Sequence, residues 1–163
     1  MKKMPAACHL VCFRLGKETY GVDIFLVREI VKAQEITSVP GASGYVLGII
    51  NLRGKIISVI DLAQRLGLGS SRVGRESRIL VVDLDGFTVG FLVDAATEVL
   101  KLAPESIEAA PDELKSSVRD DYLEGVGKLK DRLVIILNPA NLLVENDTGS
   151  LAAADGARAK TSR

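Results

Sequence analysis

The sequence predicts a mainly β fold: two small five-stranded barrels in tandem, packed together, with short helices after the hairpins. Three observations carry this. Short runs rich in Val, Ile and Leu recur along the chain, separated by Gly, Pro, Asn and Asp, as strands joined by turns require. The stretch 45–62 breaks at Arg53-Gly54 into two apolar runs, and Gly54 can take the positive φ of a tight hairpin, leaving Arg53 at its tip. Finally, the chain echoes itself. Residues 10–32 lie without a gap on 79–101, so that Gly21 meets Gly90, Glu29 meets Glu98 and Lys32 meets Lys101. Residues 48–66 lie likewise on 125–143, so that Gly48 meets Gly125 and Leu66 meets Leu143. A five-strand unit is thus written twice. Each unit buries its apolar face by curling, and the two cover each other's open flank.

In chain order, 9–15 alternates as a strand, Gly16-Lys17-Glu18 turns it, and 19–23 returns. A short irregular connection at 24–26 leads to 27–33, which suits a strand, although Val27, Ile30 and Val31 would also fit a helical stripe. Residues 40–44 form a loop; the central hairpin follows, with one helical turn at 63–66 and a Gly-rich connector at 67–74. Residues 78–84, 87–93 and 97–102 read as three more strands, and 103–118 as an exposed connection. A second hairpin at 122–129 and 132–137 ends in a short helix at 139–144 with Pro near its start. Barrel 1 is expected at about 16–76 and barrel 2 at about 77–144, with 1–8 flexible and 145–163 disordered.

Composition excludes several functions. Lys plus Arg equals Asp plus Glu, aromatics are 4% and Trp is absent, which disfavours nucleic-acid binding and base stacking. No apolar run is long enough to span a membrane, and too few residues separate Lys3 from Cys8 for a signal segment. Cys8 and Cys12 share one face of a strand and His9 the other. These are expected to be buried or half-buried thiols in a cytoplasmic, reducing setting, neither a metal site nor a redox pair. His9 is the only histidine, and no nucleophile elbow, phosphate loop or dinucleotide fingerprint is present. Asp23, Asp61, Asp83 and Asp94 sit at strand or turn ends, where Asp caps backbone donors. The expectation is no enzyme, no cofactor and no metal.

Function then rests on surface. Arg53 is placed either to dock onto a partner's carboxylates or carbonyls, or to form an internal salt bridge with Glu29 or Asp61. Val27, Glu29 and Ile30 follow the first hairpin, where an edge strand exposes an apolar strip unless Val27 and Ile30 are core. The groove between barrels suits a helix.

Asn51-Leu52-Arg53-Gly54 with Val59-Ile60-Asp61-Leu62 resembles the signature of bacterial chemotaxis coupling proteins, the CheW family. Residues 20–24, 27–31, 122–127 and 133–143 resemble the same family's opening and closing segments, so the likeness runs from about 10 to 143. It implies two SH3-like five-stranded barrels, with the first strand, 9–15, shared with barrel 2. It implies a non-enzymatic adaptor coupling chemoreceptors to a CheA-type histidine kinase. The partners are the chemoreceptor cytoplasmic tip helices and a kinase regulatory domain built from the same double barrel, and the contacts can extend into receptor arrays. Val27, Glu29, Ile30, Asn51, Leu52, Arg53 and Gly54 are the partner-binding residues it points to. The chain departs from the family pattern at Ser58, Asn138 and Ala95-Ala96. Lacking kinase or receiver motifs, it reads as a stand-alone adaptor without membrane insertion. A small-ligand-binding double barrel, or an accessory subunit of an unrelated enzyme, is the alternative. A closed polar cavity would favour that alternative, and an open aliphatic trough the adaptor.

Overall fold

Eleven strands and little helix make up the described residues, 8–42, 44–69, 73–84, 86–112 and 122–142 of a computed structural model. The strands are β1 (Cys8–Leu15), β2 (Glu18–Asp23), β3 (Val27–Lys32), β4 (Val46–Leu52), β5 (Lys55–Asp61), β6 (Arg78–Leu84), β7 (Phe87–Val93), β8 (Ala95–Leu102), β9 (Ile107–Glu108), β10 (Leu123–Lys128) and β11 (Leu133–Leu137). One α-helical turn, α1 (Leu62–Arg65), follows β5, and 3-10 turns lie at Ile24–Leu26, Pro104–Ser106 and Pro139–Leu142. The segment 27–33 is a strand, so the helical option fails. Its burial alternates from Val27 to Lys32, the period of a half-buried edge. The segments 1–7, 113–118 and 143–163, on which several expectations fall, lie outside the described residues. Among the described residues, no helix is long and apolar enough to cross a membrane.

The strands form two sheets, ordered β8-β1-β2-β11-β10-β9 and β3-β6-β7-β5-β4. Superposing the sequence repeat on this order matches the five strands of the second sheet with five of the first, leaving only β9 without a strand counterpart. The register agrees to the residue: parallel pairing joins Tyr20 to Ile135 in one sheet and Val89 to Ser58 in the other. The bulges recur too, between Cys12 and Phe13 opposite β8 and between Val27 and Glu29 opposite β6. A further matched pair falls at Val46/Gly48 and Leu123/Gly125.

Hydrogen bonding, however, does not follow the expected division at 76/77. The whole β1–β2 hairpin, not only its first strand, joins β8, β10 and β11, and the β6–β7 hairpin joins β3, β4 and β5. Each half lends its hairpin to the other. Strand periodicity fixes which face of a strand is buried and leaves open which neighbour it pairs with.

In each sheet the chain beyond one edge strand reaches the other edge strand. Past β3, Thr37 bridges to Ile49 of β4; past β8, β9 pairs with β10. Gly48 (φ 150°) lies under that crossing, where a Cβ would sit 2.0 Å from the Thr37 carbonyl oxygen. A Cβ on Gly125 would likewise lie 2.8 Å from the Glu108 carbonyl oxygen. Three apolar cores result. One fills the inside of the first sheet around Leu10, Cys12 and Ile136, and another the second around Ile57, Val59 and Val81. The largest, with Phe13, Tyr20, Leu80, Phe91 and Ile135, is shared between the sheets. Strands buried on both faces therefore read as continuous apolar runs, as Arg78-Ile79-Leu80-Val81-Val82 does.

Candidate functional site

The site is built at the seam where the loop after β4 reaches across to β3, the other edge strand of the same sheet. A two-residue loop joins β4 to β5, with Leu52 paired to Lys55. Both loop residues take positive φ, 53° at Arg53 and 85° at Gly54, the geometry that matches the twist of the flanking strands. Glycine adopts it freely; arginine does not, and Arg53 is the one non-glycine with positive φ among the described residues. The Asn51 side-chain oxygen accepts from the Gly54 N–H at 2.8 Å and pins the turn. Asn51 and Gly54 thus hold the loop so that Arg53 projects from its tip.

Arg53 reaches across the seam. Its Nη1 donates to Glu29 Oε2 at 2.6 Å, with the Arg53 side chain 72% exposed and that of Glu29 26%. Through this hydrogen bond, Arg53 holds the Glu29 carboxyl below its usual range, and Glu29 raises the guanidinium. Of the two internal partners expected for Arg53, Glu29 is the one found; Asp61 is buried and caps α1. Pairing and exposure hold together here, because the carboxylate takes one edge of the guanidinium and leaves the rest to solvent.

Beside the pair lies a small recess of about 130 Å³ with an aliphatic floor, Leu52, Ile57 and Val81. Arg28, Arg53 and Lys55 rim it against a single carboxylate, Glu29, with Thr88 completing the wall. Ile30, 41% exposed, points outward from the same edge strand. Val27 is half-buried against the shared core, so its side chain is more structural than exposed. Leu52 likewise packs against the barrel interior while lining the recess. Glu29, Leu52 and Arg53 therefore converge, Asn51 and Gly54 support them, and Ile30 flanks them. Arg28 and Lys55 had no sequence signal beyond their proximity to these positions.

The repeat builds a second such seam. Glu98, the counterpart of Glu29, is paired with Arg132, beside Val99 at 56% and Leu133 at 54% exposure. Here the loop residues are Lys130-Asp131, and the cation comes from the position equivalent to Lys55. The echo of Glu29-Ile30 in Glu98-Val99 was the signal for it.

A larger groove of about 670 Å³ runs past the β1–β2 turn, residues 74–77 and Asp94. Its lining is not the mainly aliphatic trough that would favour an adaptor: Arg14, Lys17, Glu18, Arg75 and Glu76 line it along with Leu15, Tyr20 and Leu68. Within it Arg14 meets Glu76 at 3.4 Å and Asp94 accepts from the Gly16 N–H at 2.7 Å. Asp23, Asp61 and Asp83, also at strand or turn ends, are similarly occupied. Asp23 accepts from the Phe25 N–H, Asp61 from the Gln64 N–H and Asp83 from the Thr88 hydroxyl. Cys8 and Cys12 are buried free thiols. Burial, with Glu98 nearby, pushes Cys12 up to about 11.

Comparison with known proteins agrees with this architecture. Residues 9–147 match the family model described as CheW-like domain. The chain is 32% identical to the chemotaxis protein CheW of Bacillus subtilis (strain 168), covering 91% of this chain and 94% of that one. It is 36% identical to that of Helicobacter pylori, over 80% of this chain and 78% of the relative. The crystal structure of the scaffolding protein TtCheW from Thermoanaerobacter tengcongensis superposes with a TM-score of 0.78 at 39% identity, covering 90% of this chain and 94% of that chain. With its paired SH3-like sheets and its Asn51-Leu52-Arg53-Gly54 hairpin, the chain belongs to the CheW-like domain family.

Proposed function

We propose that this protein is a non-enzymatic adaptor that couples chemoreceptors to a CheA-type histidine kinase in chemotaxis signalling. It works in the cytoplasm and reaches the membrane only through its receptors. The observation that carries the reading is the seam at Arg53. A guanidinium held at positive φ by Asn51 and Gly54, braced by Glu29 and left 72% exposed, is a preset donor for a partner's carboxylate or carbonyls. Strained backbone of this kind persists where the surroundings over-determine it and a surface has a use for it.

Within this reading, Glu29, Ile30, Leu52 and Arg53 form the contact surface, while Val27, Asn51 and Gly54 hold its shape. The partners are the kinase regulatory domain, a double barrel of the same design, and the helical tip of the receptors. A family relative bearing the name chemotaxis protein CheW supports this assignment. Coupling then follows from population shift: an adaptor gripping receptor and kinase together lets the receptor state bias the kinase state.

The test is co-sedimentation of the full chain with receptor-containing membranes and a CheA-type kinase. The expected result is retention of wild type and marked loss with Arg53→Ala, at an unchanged thermal midpoint. Equal retention of both proteins, or failure of the wild type to bind either partner, overturns the reading. The small-ligand alternative would draw on the charged groove, where Arg14 is already paired with Glu76 and Asp94 accepts from the Gly16 N–H.

A further inference from the structure

We propose that Arg65 is a positioning residue that fixes the orientation of one barrel against the other. Its guanidinium carbon lies 4.8 Å from the ring centroid of Tyr45 and 5.0 Å from that of Tyr122. The two rings are each other's counterparts in the repeat. Tyr45 immediately precedes β4 and Tyr122 immediately precedes β10. Their carbonyls accept from the N–H groups of Asp61 and Asn138, also counterparts, both at 2.8 Å. One tyrosine thus comes from each half, and a single cation lies between them.

The asymmetry is informative. The counterpart of Arg65 is Leu142, and Arg65 Nε donates to the Leu142 carbonyl at 2.7 Å. The repeat places a guanidinium on one side of the junction and an aliphatic chain on the other, so one cation serves both halves. Arginine suits this place because its plane offers a face to each ring and an in-plane N–H to the carbonyl. The shared core around Phe13 and Phe91 holds the barrels together, but hydrophobic contact is non-directional. The guanidinium over both rings, hydrogen-bonded to the Leu142 carbonyl, supplies direction. Since β4 runs from Tyr45 to the loop bearing Arg53, the pin also sets where that loop stands relative to the second barrel. This last consequence rests on the proposed adaptor function; the orientation claim does not.

The test places spin labels at Lys32 and Lys101, equivalent exposed positions on the two sheets, and measures their distance distribution by pulsed dipolar spectroscopy on the full chain without partners. Both native cysteines are buried, which keeps the labelling selective. Wild type and Tyr45→Phe, which keeps the ring, are expected to give one narrow distribution. Arg65→Ala and Arg65→Lys are expected to broaden it, with each sheet's amide spectrum preserved; lysine keeps the charge but neither the plane nor the Nε donor. A distribution as narrow in Arg65→Lys as in wild type overturns the proposal, and so does a narrow one in Arg65→Ala. Should Arg65→Ala fail to fold, the lysine variant alone decides. Because no partner is present, the result is independent of whether the adaptor reading stands.

Discussion

Arg53 and Glu29 show how little an exposed ion pair need contribute to stability while still shaping a surface. Solvent screens the pair, so Arg53→Ala is expected to leave the thermal midpoint nearly unchanged, as differential scanning calorimetry will show, while reducing partner retention. The Glu29 carboxyl titrates low because Arg53 hydrogen-bonds its charged form. A depressed folded value means that the pair's contribution is present above the ordinary carboxylate range and lost only as pH falls through the lowered one. NMR titration should accordingly find the Glu29 midpoint below 4.5 and moving up toward it in Arg53→Ala. Cys12 runs the opposite way. Its thiol is raised from 9.0 to about 11, first by burial and then by Glu98, so its contribution holds below about 9 and is lost as pH rises toward 11. Denaturant melts across that window should show a loss that Cys12→Ala diminishes. Arg53 is visible in the sequence as a turn-tip cation, whereas its choice of partner between Glu29 and Asp61 is not. The choice depended on which strands meet at the seam, and local pattern does not encode that.

At the scale of the element, two glycines of the repeat differ sharply in what they do. Gly54 has open space around its Cα and needs only a positive φ, so Gly54→Ala should cost about 1 kcal/mol, the usual penalty for a left-handed residue. Gly48 needs both the backbone and the room, since the chain at Thr37 crosses directly over it. Gly48→Ala should therefore cost roughly 3 kcal/mol or more, within the class of severe single substitutions, and urea denaturation of the two variants will separate them. The strands themselves were legible: nearly every apolar run became a strand within two residues of its expected ends. So was the match of Gly48 with Gly125, whose reason, a crossing segment over each, emerged only in three dimensions. The two-residue β9 was not legible, because Ile107-Glu108 is too short to carry a period and is defined by pairing with β10.

For the whole molecule, the exchange of hairpins decides how folding must proceed. In the first half, β1 and β2 have their outer neighbours, β8 and β11, in the second, while β6 and β7 lean on β3 and β5 in the first. Neither half contains a complete sheet, so chains spanning 1–72 or 73–163 alone are expected to lack native amide dispersion in NMR spectra. Mixed in equal amounts, they should recover it. Independent folding of either half would contradict the topology. The sequence repeat predicted two equivalent units and their contents but not this trade of parts, since every gapless match is equally compatible with strands that stay at home or cross over.

That trade also bears on ancestry. Two copies of a half-length chain, each donating its hairpin to its twin, would make an intertwined homodimer with this same strand order. A single gene fusion through the segment after α1 would join those two copies into one chain with the present strand order. In such a fused chain the twins would be free to diverge, and at the junction they do differ: the same position carries a guanidinium in one and leucine in the other.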